Sequence, residues 1–445
     1  MDNKIIKVGI MENAEEIFFS ITSAGYKVYV DDKSKPALLI SDTQTTYKLL
    51  PENGHIVLVV RGKTYRLRSA KIRLVPLNED SMFVVHNVPV GRKFHWQHLE
   101  KQTFLQEMVA KNVYGKLMLI NNVDLENYVT SVISSEMSSS APIEYLKMHA
   151  VISRSWVLAQ VELLRCQSSY SYEDENTIIK WYGREGHTEY DVCNDDHCQR
   201  YHGFGKITAA ASLAAKSTFG KVLTYRGELC DTRFSKACGG RTEKYENVWQ
   251  DDYKAPYLTS IWDAEKKLHF RILSSEKSVL EWVRSSPKVY CNIKEPTMLK
   301  DFLVNFDFSA TPDFFRWKVR YTRGELEEIV KQKTGRNIGK LLDIVPLKRG
   351  TSGRLIYVEI VGDKGKILIG KELEIRRVLS PSHLYSSCFV VKKDESKDVF
   401  TFYGSGWGHG VGLCQIGAAG MILSGKNHEE VLKHYFPHTE ISKIY

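Results

Sequence analysis

The carboxylate of Glu136 follows an apolar stripe whose spacing in the sequence is that of one face of a helix. The stripe consists of Leu125, Tyr128, Val129 and Val132, and Asp124 before it is suited to cap the helix. Partial burial of a carboxylate favours its protonated form, and a neutral carboxylic acid can act as a general acid. The alternative is a stripe that ends at Val132, which would leave Glu136 solvated near the end of the helix.

Arg154 lies on the apolar stripe of a second predicted helix, four residues after Ala150. That helix follows Pro142, a residue suited to a first helical turn. A guanidinium at this position could orient an anionic group or hold the Glu136 carboxylate. The alternative is a side chain that reaches solvent from the edge of the helix.

Cysteine, histidine and aspartate are concentrated between residues 187 and 202. Zinc takes thiolate and imidazole ligands in tetrahedral geometry. Four ligands are available there: His187, Cys193, Cys198 and either His197 or His202. A disulfide between the two cysteines and a pair of free thiols are the alternatives. A second pair, His95 and His98, has no third local ligand, so two ordinary surface histidines are favoured over a metal site there.

The most unusual string of the chain is GSGWGHGVG, at residues 404–412. Glycine at alternate positions permits irregular, exposed backbone geometry. Trp407 offers a flat apolar face that suits a sugar ring, and His409 can carry or donate a proton. No Lys-Ser/Thr pair follows, which distinguishes the string from a phosphate-binding loop. The alternative is a buried glycine turn.

A second glycine turn follows Cys238 and reads Gly239-Gly240-Arg241. The double glycine lets the backbone approach a ligand closely. Cys238 has no base nearby in the sequence, which argues against a nucleophilic role for its thiol.

Composition describes a folded chain of 445 residues with 43% hydrophobic residues and a net charge of +9. There is no run of about 20 apolar residues, so no transmembrane helix is predicted. Lysine and arginine are scattered without a block of five, and nucleic-acid binding is therefore not expected. The eight cysteines permit disulfides without requiring them.

The first seven residues, MDNKIIK, contain no basic segment followed by an apolar one. A secretory signal has that pattern. The expectation is either a cytoplasmic protein or a chain from which a signal has been removed.

The elements around these residues predict an α+β fold in which β-branched and aromatic runs alternate with turns over residues 5–90. Helix and strand patterns are mixed in the rest of the chain. Four segments are predicted: a β-rich N-terminal module at 1–110, the first part of a mixed helix/strand region at 111–263, an inserted α/β subdomain at 264–395, and the second part of the mixed region at 396–445.

Eight strings, in their order along the chain, resemble motifs of the SpoIID/LytB family, which is named for the sporulation stage II protein D. They are NVDLENY at 122–128, SEM at 135–137, YLKMHAV with SRSW at 145–156, CGGRTE at 238–243, PYL at 256–258, WGHG at 407–410, QIGA at 415–418 and HYFP at 434–437. Residues 1–110 lie mostly outside the resemblance.

The resemblance implies a peptidoglycan lytic transglycosylase. Such an enzyme cuts the bond between N-acetylmuramic acid and N-acetylglucosamine and leaves a 1,6-anhydro end, on glycan strands stripped of stem peptides and often beside an amidase. It implies Glu136 as the catalytic acid/base, with Arg154, Tyr257 and His409 as further residues important for activity. One carboxyl group suffices in this chemistry because the sugar's own 6-hydroxyl attacks, whereas ordinary glycosidases use two.

The resemblance also bears on binding residues and ions. With the glycine strings it defines a candidate substrate-binding set: Gly239, Gly240, Arg241, Trp407, Gly408 and Gln415. The Cys/His loop resembles a region that binds zinc in some members, and the expected structural zinc set is His187, Cys193, His197 and Cys198, with His202 competing for the place of His197.

The implied partners are peptidoglycan strands and a cell-wall amidase, and the implied location is the cell envelope. A non-catalytic, wall-binding amidase enhancer is one alternative function. A cytoplasmic enzyme that acts on imported wall fragments is another. The chain departs from the family's usual residues at His149, Ser155-Trp156, Cys238 and Leu413-Cys414, and none of these departures involves Glu136.

Overall fold

The computed structural model describes residues 4–22, 25–31, 33–92, 97–138, 140–163, 169–182, 187–249, 255–268, 273, 275–304 and 314–445. They form two compact units. The first comprises Met1–Ser139, Gly186–Phe219 and Tyr445, and the second comprises Ser140–Glu185 and Gly220–Ile444. His95 lies outside the described residues, and with it the predicted pair with His98.

Strands and helices alternate along the chain. The strands are β1 (Ile5–Ala14), β2 (Ile17–Ile21), β3 (Tyr26–Val30), β4 (Leu38–Ile40), β5 (Tyr47–Glu52), β6 (His55–Val60), β7 (Lys63–Arg66), β8 (Lys71–Pro76), β9 (Met82–Val90), β10 (His98–Leu105), β11 (Glu107–Val113), β12 (Lys116–Asp124), β13 (Tyr170–Glu173), β14 (Thr177–Trp181), β15 (Val192–Cys193), β16 (Lys221–Tyr225), β17 (Glu228–Leu229), β18 (Phe234–Ser235), β19 (Arg316–Thr322), β20 (Leu341–Arg349), β21 (Leu355–Gly362), β22 (Lys366–Gly370), β23 (Phe389–Asp394), β24 (Val399–Ser405), β25 (Leu413–Cys414) and β26 (Glu440–Lys443).

The helices are α1 (Leu125–Glu136), α2 (Ile143–Leu163), α3 (Ala209–Ser217), α4 (Tyr245–Val248), α5 (Glu276–Arg284), α6 (Arg323–Thr334), α7 (Glu372–Val378), α8 (Gln415–Leu423) and α9 (His428–Tyr435), and a 3-10 helix spans Pro296–Asp301. No helix among the described residues is long and apolar enough to cross a membrane.

The first unit is built on two sheets. One has the strand order β15-β1-β12-β11-β8-β3-β4, and the other has the order β10-β9-β2-β5-β6-β7. Strand β1 is antiparallel to β12 and parallel to the short β15, so the Cys/His loop begins beside the N-terminal strand. Buried and more exposed residues alternate along strands such as β3, as expected where one face of a sheet covers a core.

A row of aromatic rings connects the six-stranded sheet to α1. The ring of Phe83 stacks on Phe104 at 5.5 Å, Phe104 on Tyr201 at 5.9 Å, and Tyr201 on Tyr128 at 5.4 Å. Because Tyr128 lies on the apolar stripe of α1, this packing fixes which face of the helix is turned inward. The carboxylate of Asp124 accepts a hydrogen bond from the Asn127 N–H, which confirms the predicted cap.

The second unit contains four sheets, with strand orders β13-β14-β22-β21-β20, β19-β24-β23, β17-β16-β26 and β18-β25. A large apolar core lies between the first two of these sheets and helices α6 and α7, and includes Trp317, Leu326, Val358, Ile375 and Phe402. Strands β18 and β25 are parallel, with Ser235 opposite Cys414. This pairing brings the turn at Cys238 to the end of the glycine string.

The predicted α+β class and the β-rich N-terminal region are confirmed. The boundaries at residues 110, 263 and 395 stay predictions, because each unit pools stretches that are far apart in the chain.

Candidate functional site

Glu136 is the last residue of α1 and only 7% of it is exposed. Its Oε1 accepts a hydrogen bond of 3.1 Å from the backbone N–H of Arg200. The apolar stripe therefore extends to the carboxylate, and the alternative of a solvated Glu136 does not hold. Burial disfavours the charged form of a carboxylate, while a donated N–H fixes the direction in which one oxygen points.

The segment that carries Arg200 is bonded along the length of α1. Tyr128 donates to the Gln199 side chain over 3.1 Å, and Ser131 donates to the Gly203 carbonyl over 2.7 Å. The backbone N–H of His202 donates to the Ser135 hydroxyl over 3.1 Å. These bonds use one face of α1 at helical spacing, so the helix and the segment form one rigid support for Glu136.

The four residues predicted as zinc ligands form a cluster just before this segment. The ligand atoms of His187, Cys193, His197 and Cys198 all lie within 4.8 Å of one another. Cys198 Sγ is 3.7 Å from His197 Nδ1 and 3.8 Å from His187 Nδ1, close to the ~3.6 Å between a sulfur and a nitrogen bound to the same tetrahedral zinc. The donor set and its spacing therefore fit zinc.

His197 and His202, the two alternatives for the fourth zinc ligand, differ in position. His202 Nδ1 lies 3.2 Å from the Lys206 ammonium, and His202 is not a member of the cluster. Cys193 and Cys198 are free thiols, not a disulfide. Hydrogen bonds from Cys198 first, and then from His187 and His197, hold the pKa of the Cys193 thiol well below its usual range against the opposing effect of burial. A thiolate is the form that binds a metal.

Backbone and carboxylate contacts hold the cluster against β1. Asn194 N–H donates to the Gly9 carbonyl over 3.1 Å. The Asp195 carboxylate accepts from the backbone N–H groups of Gly91 and Arg92, at 3.1 and 2.7 Å. The loop is thus anchored to two parts of the first unit on one side and continues into the Arg200 segment on the other.

Arg154 lies on α2 in the second unit and is fully buried. Its Nη1 donates to the carbonyls of Ala150 and Lys221, at 3.3 and 3.0 Å. The guanidinium therefore does not reach solvent from the helix edge, and it is held between α2 and β16. Glu136 and Arg154 belong to different units.

Tyr257 and His409 are joined within the second unit by a chain of contacts. Tyr257 Oη accepts from the Asp231 N–H at 3.0 Å, and Arg233 Nε donates to the Asp231 carboxylate at 2.9 Å. The Arg233 guanidinium lies 4.5 Å from the centre of the Trp249 ring, whose centroid is 4.9 Å from that of His409.

The His409 ring is held in one orientation. Its Nδ1 accepts a hydrogen bond of 3.0 Å from the Val411 N–H, so the proton of the neutral ring lies on Nε2. Burial, followed by the charges of Arg233, Arg354 and Arg376, lowers the pKa of His409 to about 3. At neutral pH the side chain is a neutral hydrogen-bond donor.

The glycine string adopts the backbone geometry that its composition permits. Four of its glycines have positive φ: Gly406 (77°), Gly408 (88°), Gly410 (74°) and Gly412 (72°). Trp407 is partly buried, with its ring 4.6 Å from Tyr385 and 5.3 Å from Phe314. One part of the predicted sugar-stacking face is therefore packed against the unit's own aromatic rings.

The remaining predicted binding residues lie around the same string. A Cβ on Gly239 would come within 2.3 Å of Ser405 Oγ, and one on Gly240 within 2.7 Å of the Trp282 ring, so both glycines permit close packing inside the unit. Arg241 lies 4.7 Å from the Trp262 ring and donates to Ser260 over 3.1 Å. The remaining member, Gln415, is buried at the start of α8.

Arg354 is a buried residue beside the candidate site that the sequence did not indicate. Its buried guanidinium donates to the carbonyls of Cys238 and Gly408, at 3.1 and 3.2 Å, and so joins the two glycine turns. A second buried charge, Glu243, receives the N–H of Ser352 at 3.0 Å. Arg354 lies in the segment 264–395, far in the sequence from the turn at Cys238 and from the glycine string. No motif connects it with either turn.

Two family models match the chain. Residues 113–225 match a model described as Stage II sporulation protein, and residues 243–412 match one described as a domain of unknown function (DUF8618). The second match includes both Arg354 and His409.

Three curated proteins are similar to this chain. An uncharacterized protein of Brachyspira hyodysenteriae is 26% identical over 394 residues, which are 85% of this chain and 87% of that protein. Stage II sporulation protein D of Bacillus subtilis is 26% identical over 329 residues, 73% of this chain and 76% of that protein. The amidase enhancer of Bacillus subtilis is 24% identical over 342 residues, 70% of this chain but 40% of the enhancer. The family-model match over residues 113–225 and these relatives support membership of the SpoIID/LytB family.

Proposed function

We propose that the protein is a peptidoglycan lytic transglycosylase in which Glu136 is the general acid and base. The observation that carries the proposal is the burial of this carboxylate at the end of α1, with Oε1 held by the Arg200 N–H. Burial shields the carboxyl group from bulk water, and the hydrogen bond keeps it in one orientation for proton transfer.

The proton balance needs one carboxyl group. Protonated Glu136 donates to the glycosidic oxygen as the bond to C1 of N-acetylmuramic acid breaks. The 6-hydroxyl of the same sugar then attacks C1, and the Glu136 carboxylate takes its proton. The product carries a 1,6-anhydro ring, the enzyme returns to its starting protonation state, and no water is consumed.

The residues of the second unit are proposed to bind the glycan and to stabilise its transition state. Neutral His409 is proposed to face the glycan without adding a charge, and the buried Tyr257 and Arg154 are proposed to support the second unit's part of the site through their contacts inside that unit. The proposed substrate-binding residues are Trp407, Gly408, Gly239, Gly240, Arg241 and Gln415.

A zinc ion would be held by His187, Cys193, His197 and Cys198, and its contribution when bound would be a structural cross-link of the loop. No step of the reaction involves it. Cys198 precedes Arg200 by two residues. The loop backbone between them presents the Arg200 N–H to Glu136.

The test is the Glu136→Gln variant with peptide-stripped glycan strands as substrate and mass spectrometry of the products. Loss of the acid is expected to lower the rate of formation of 1,6-anhydro ends by ~10²–10⁴-fold. Glu126→Gln makes the same chemical change on the same helix and is expected to keep the wild-type rate. Full cleavage by a normally folded Glu136→Gln protein would reject the assignment.

The similarity to the amidase enhancer supports a second candidate function, a glycan-binding protein that stimulates a cell-wall amidase without cleaving glycan. It predicts that the wild-type protein sediments with glycan, raises the rate of an added amidase and releases no anhydro ends. Either function places the protein in the cell envelope. Fractionation of the source cells distinguishes this location from a cytoplasmic enzyme that acts on imported wall fragments.

A further inference from the structure

Three thiols and one carboxylate converge inside the second unit, at a place where no motif predicted a metal site. We call the set of Cys238, Asp263, Cys291 and Cys414 the buried cluster. All four residues are at most 3% exposed, and their sulfur and carboxylate oxygen atoms lie within 4.8 Å of one another. They come from four stretches separated by 25 residues or more, so only the fold assembles them.

The spacing of the sulfur atoms is that of metal ligands. Cys238 Sγ lies 3.8 Å from Cys291 Sγ, whereas the two sulfurs of a disulfide are ~2.05 Å apart. Two thiolates on one tetrahedral zinc, each at ~2.3 Å from the ion, lie ~3.8 Å from each other. A disulfide would also leave the third thiol and the carboxylate of the cluster without a role.

Backbone N–H groups point at the ligand atoms. The N–H groups of Cys238 and Gly417 lie 3.1 and 3.2 Å from Cys414 Sγ, and the latter belongs to the first turn of α8. The Gly240 N–H donates to Cys238 Sγ over 3.4 Å. Such donors stabilise thiolates and orient them, as they do around known metal centres.

The carboxylate is oriented in the same way. Asp263 Oδ2 accepts from the Cys291 N–H at 2.8 Å, and the Tyr435 hydroxyl donates to Oδ1. Each carboxylate oxygen has a second lone pair, so both bonds are compatible with coordination. The geometry points to a structural zinc ion in the buried cluster, bound by Cys238, Asp263, Cys291 and Cys414.

The number of protein ligands indicates a structural role for the buried cluster. Four protein ligands complete a tetrahedral shell and leave no position for water or substrate, which is typical of structural zinc. Cys238 directly precedes Gly239-Gly240, and Cys414 follows the glycine string by two residues. Through its bonds to Cys238 and Cys414, the ion would therefore cross-link the turn at Cys238 to the end of the glycine string, next to the hydrogen bonds from Arg354. This inference does not depend on transglycosylase activity, because its readout is metal content.

The experiment measures zinc in the intact chain, purified under reducing conditions and dialysed against zinc-free buffer. Mass spectrometry of the metal is expected to find two zinc ions per wild-type chain. It is expected to find one per chain in Cys198→Ser and one per chain in Cys291→Ser. Cys388→Ser replaces another buried cysteine of the second unit and is expected to retain two. One zinc in the wild type and none in Cys198→Ser would overturn the proposal, as would a Cys238–Cys291 disulfide found by alkylation mapping.

A second measurement covers the case in which Cys291→Ser does not fold. Zinc X-ray absorption of the Cys198→Ser protein reports only the remaining ion. Three sulfur ligands and one lighter ligand support the buried cluster. Any other shell, or no zinc in this protein, rejects it.

Discussion

The backbone N–H of Arg200 lies 3.1 Å from Oε1 of Glu136 and donates to it. Arg200 follows Cys198, a member of the Cys/His cluster, by two residues. The orientation of the carboxylate is thus linked to the cluster by a very short stretch of backbone. A change in the ligands of the Cys/His loop should therefore affect Glu136, the proposed acid and base, without touching the substrate.

Replacing a ligand of this cluster should therefore lower catalysis. If the proposed function holds, Cys198→Ser is expected to lose one zinc and to reduce kcat by about 10- to 100-fold with little change in KM, since Glu136 loses its orientation while the proposed glycan-binding residues of the second unit are untouched. Steady-state kinetics on peptide-stripped strands measures both constants, with Cys388→Ser as the control. An unchanged kcat after loss of the zinc would separate the cluster from Glu136.

The close approach of Arg354 to the glycine string predicts unequal effects of two glycine substitutions. A Cβ on Gly410, at φ 74°, would lie 2.3 Å from the Arg354 guanidinium carbon, whereas Gly425, at φ 89°, has open space around it. Gly425→Ala should cost about 1 kcal/mol for backbone strain alone. Gly410→Ala should cost clearly more in urea unfolding, and equal costs would contradict the close packing.

Removal of the Arg354 guanidinium should destabilise the second unit. Arg354→Met leaves the carbonyls of Cys238 and Gly408 without a buried donor, and a loss of about 3 kcal/mol in the free energy of unfolding is expected. Exposed Arg226→Met is the control and should stay within about 0.5 kcal/mol of wild type. Urea unfolding followed by tryptophan fluorescence measures both, and similar midpoints would mean that Arg354 is dispensable.

Acid should weaken the contact between α2 and α9. Burial tends to raise the pKa of Glu144, but hydrogen bonds from Lys147 and His428 outweigh it and lower the pKa to about 2. The carboxyl of glutamate in an unfolded chain has a pKa of about 4.3. The unfolded chain therefore binds the proton first, so this contribution to stability is present above about pH 4.3 and is lost as the pH falls toward 2.

The measurement is the urea midpoint at pH 6 and pH 3. Glu144→Gln should show a smaller decrease between the two than wild type, because its side chain cannot take up the proton. Glu328→Gln, a change on the exposed side of α6, should decrease as wild type does. Parallel curves for all three proteins would rule out the contribution of Glu144.

The sequence alone determined the local features of the first unit. Helical spacing and a capping aspartate defined α1 and put Glu136 on its apolar stripe, because hydrophobic periodicity and caps are read from neighbouring residues. The Cys/His cluster could be predicted in the same way, since all its members lie within a stretch of 12 residues.

Tertiary structure decided the rest. It places His197, and not His202, in the Cys/His cluster. It also brings the Arg200 N–H to Glu136 and puts Arg354 between the two glycine turns. The buried cluster is the extreme case, because the pairing of β18 with β25 brings together the stretches that carry residues 238 and 414, and residues 263 and 291 come from two further stretches. Contacts between distant stretches depend on strand pairing and packing, which leave no periodic or spacing signal in a single sequence.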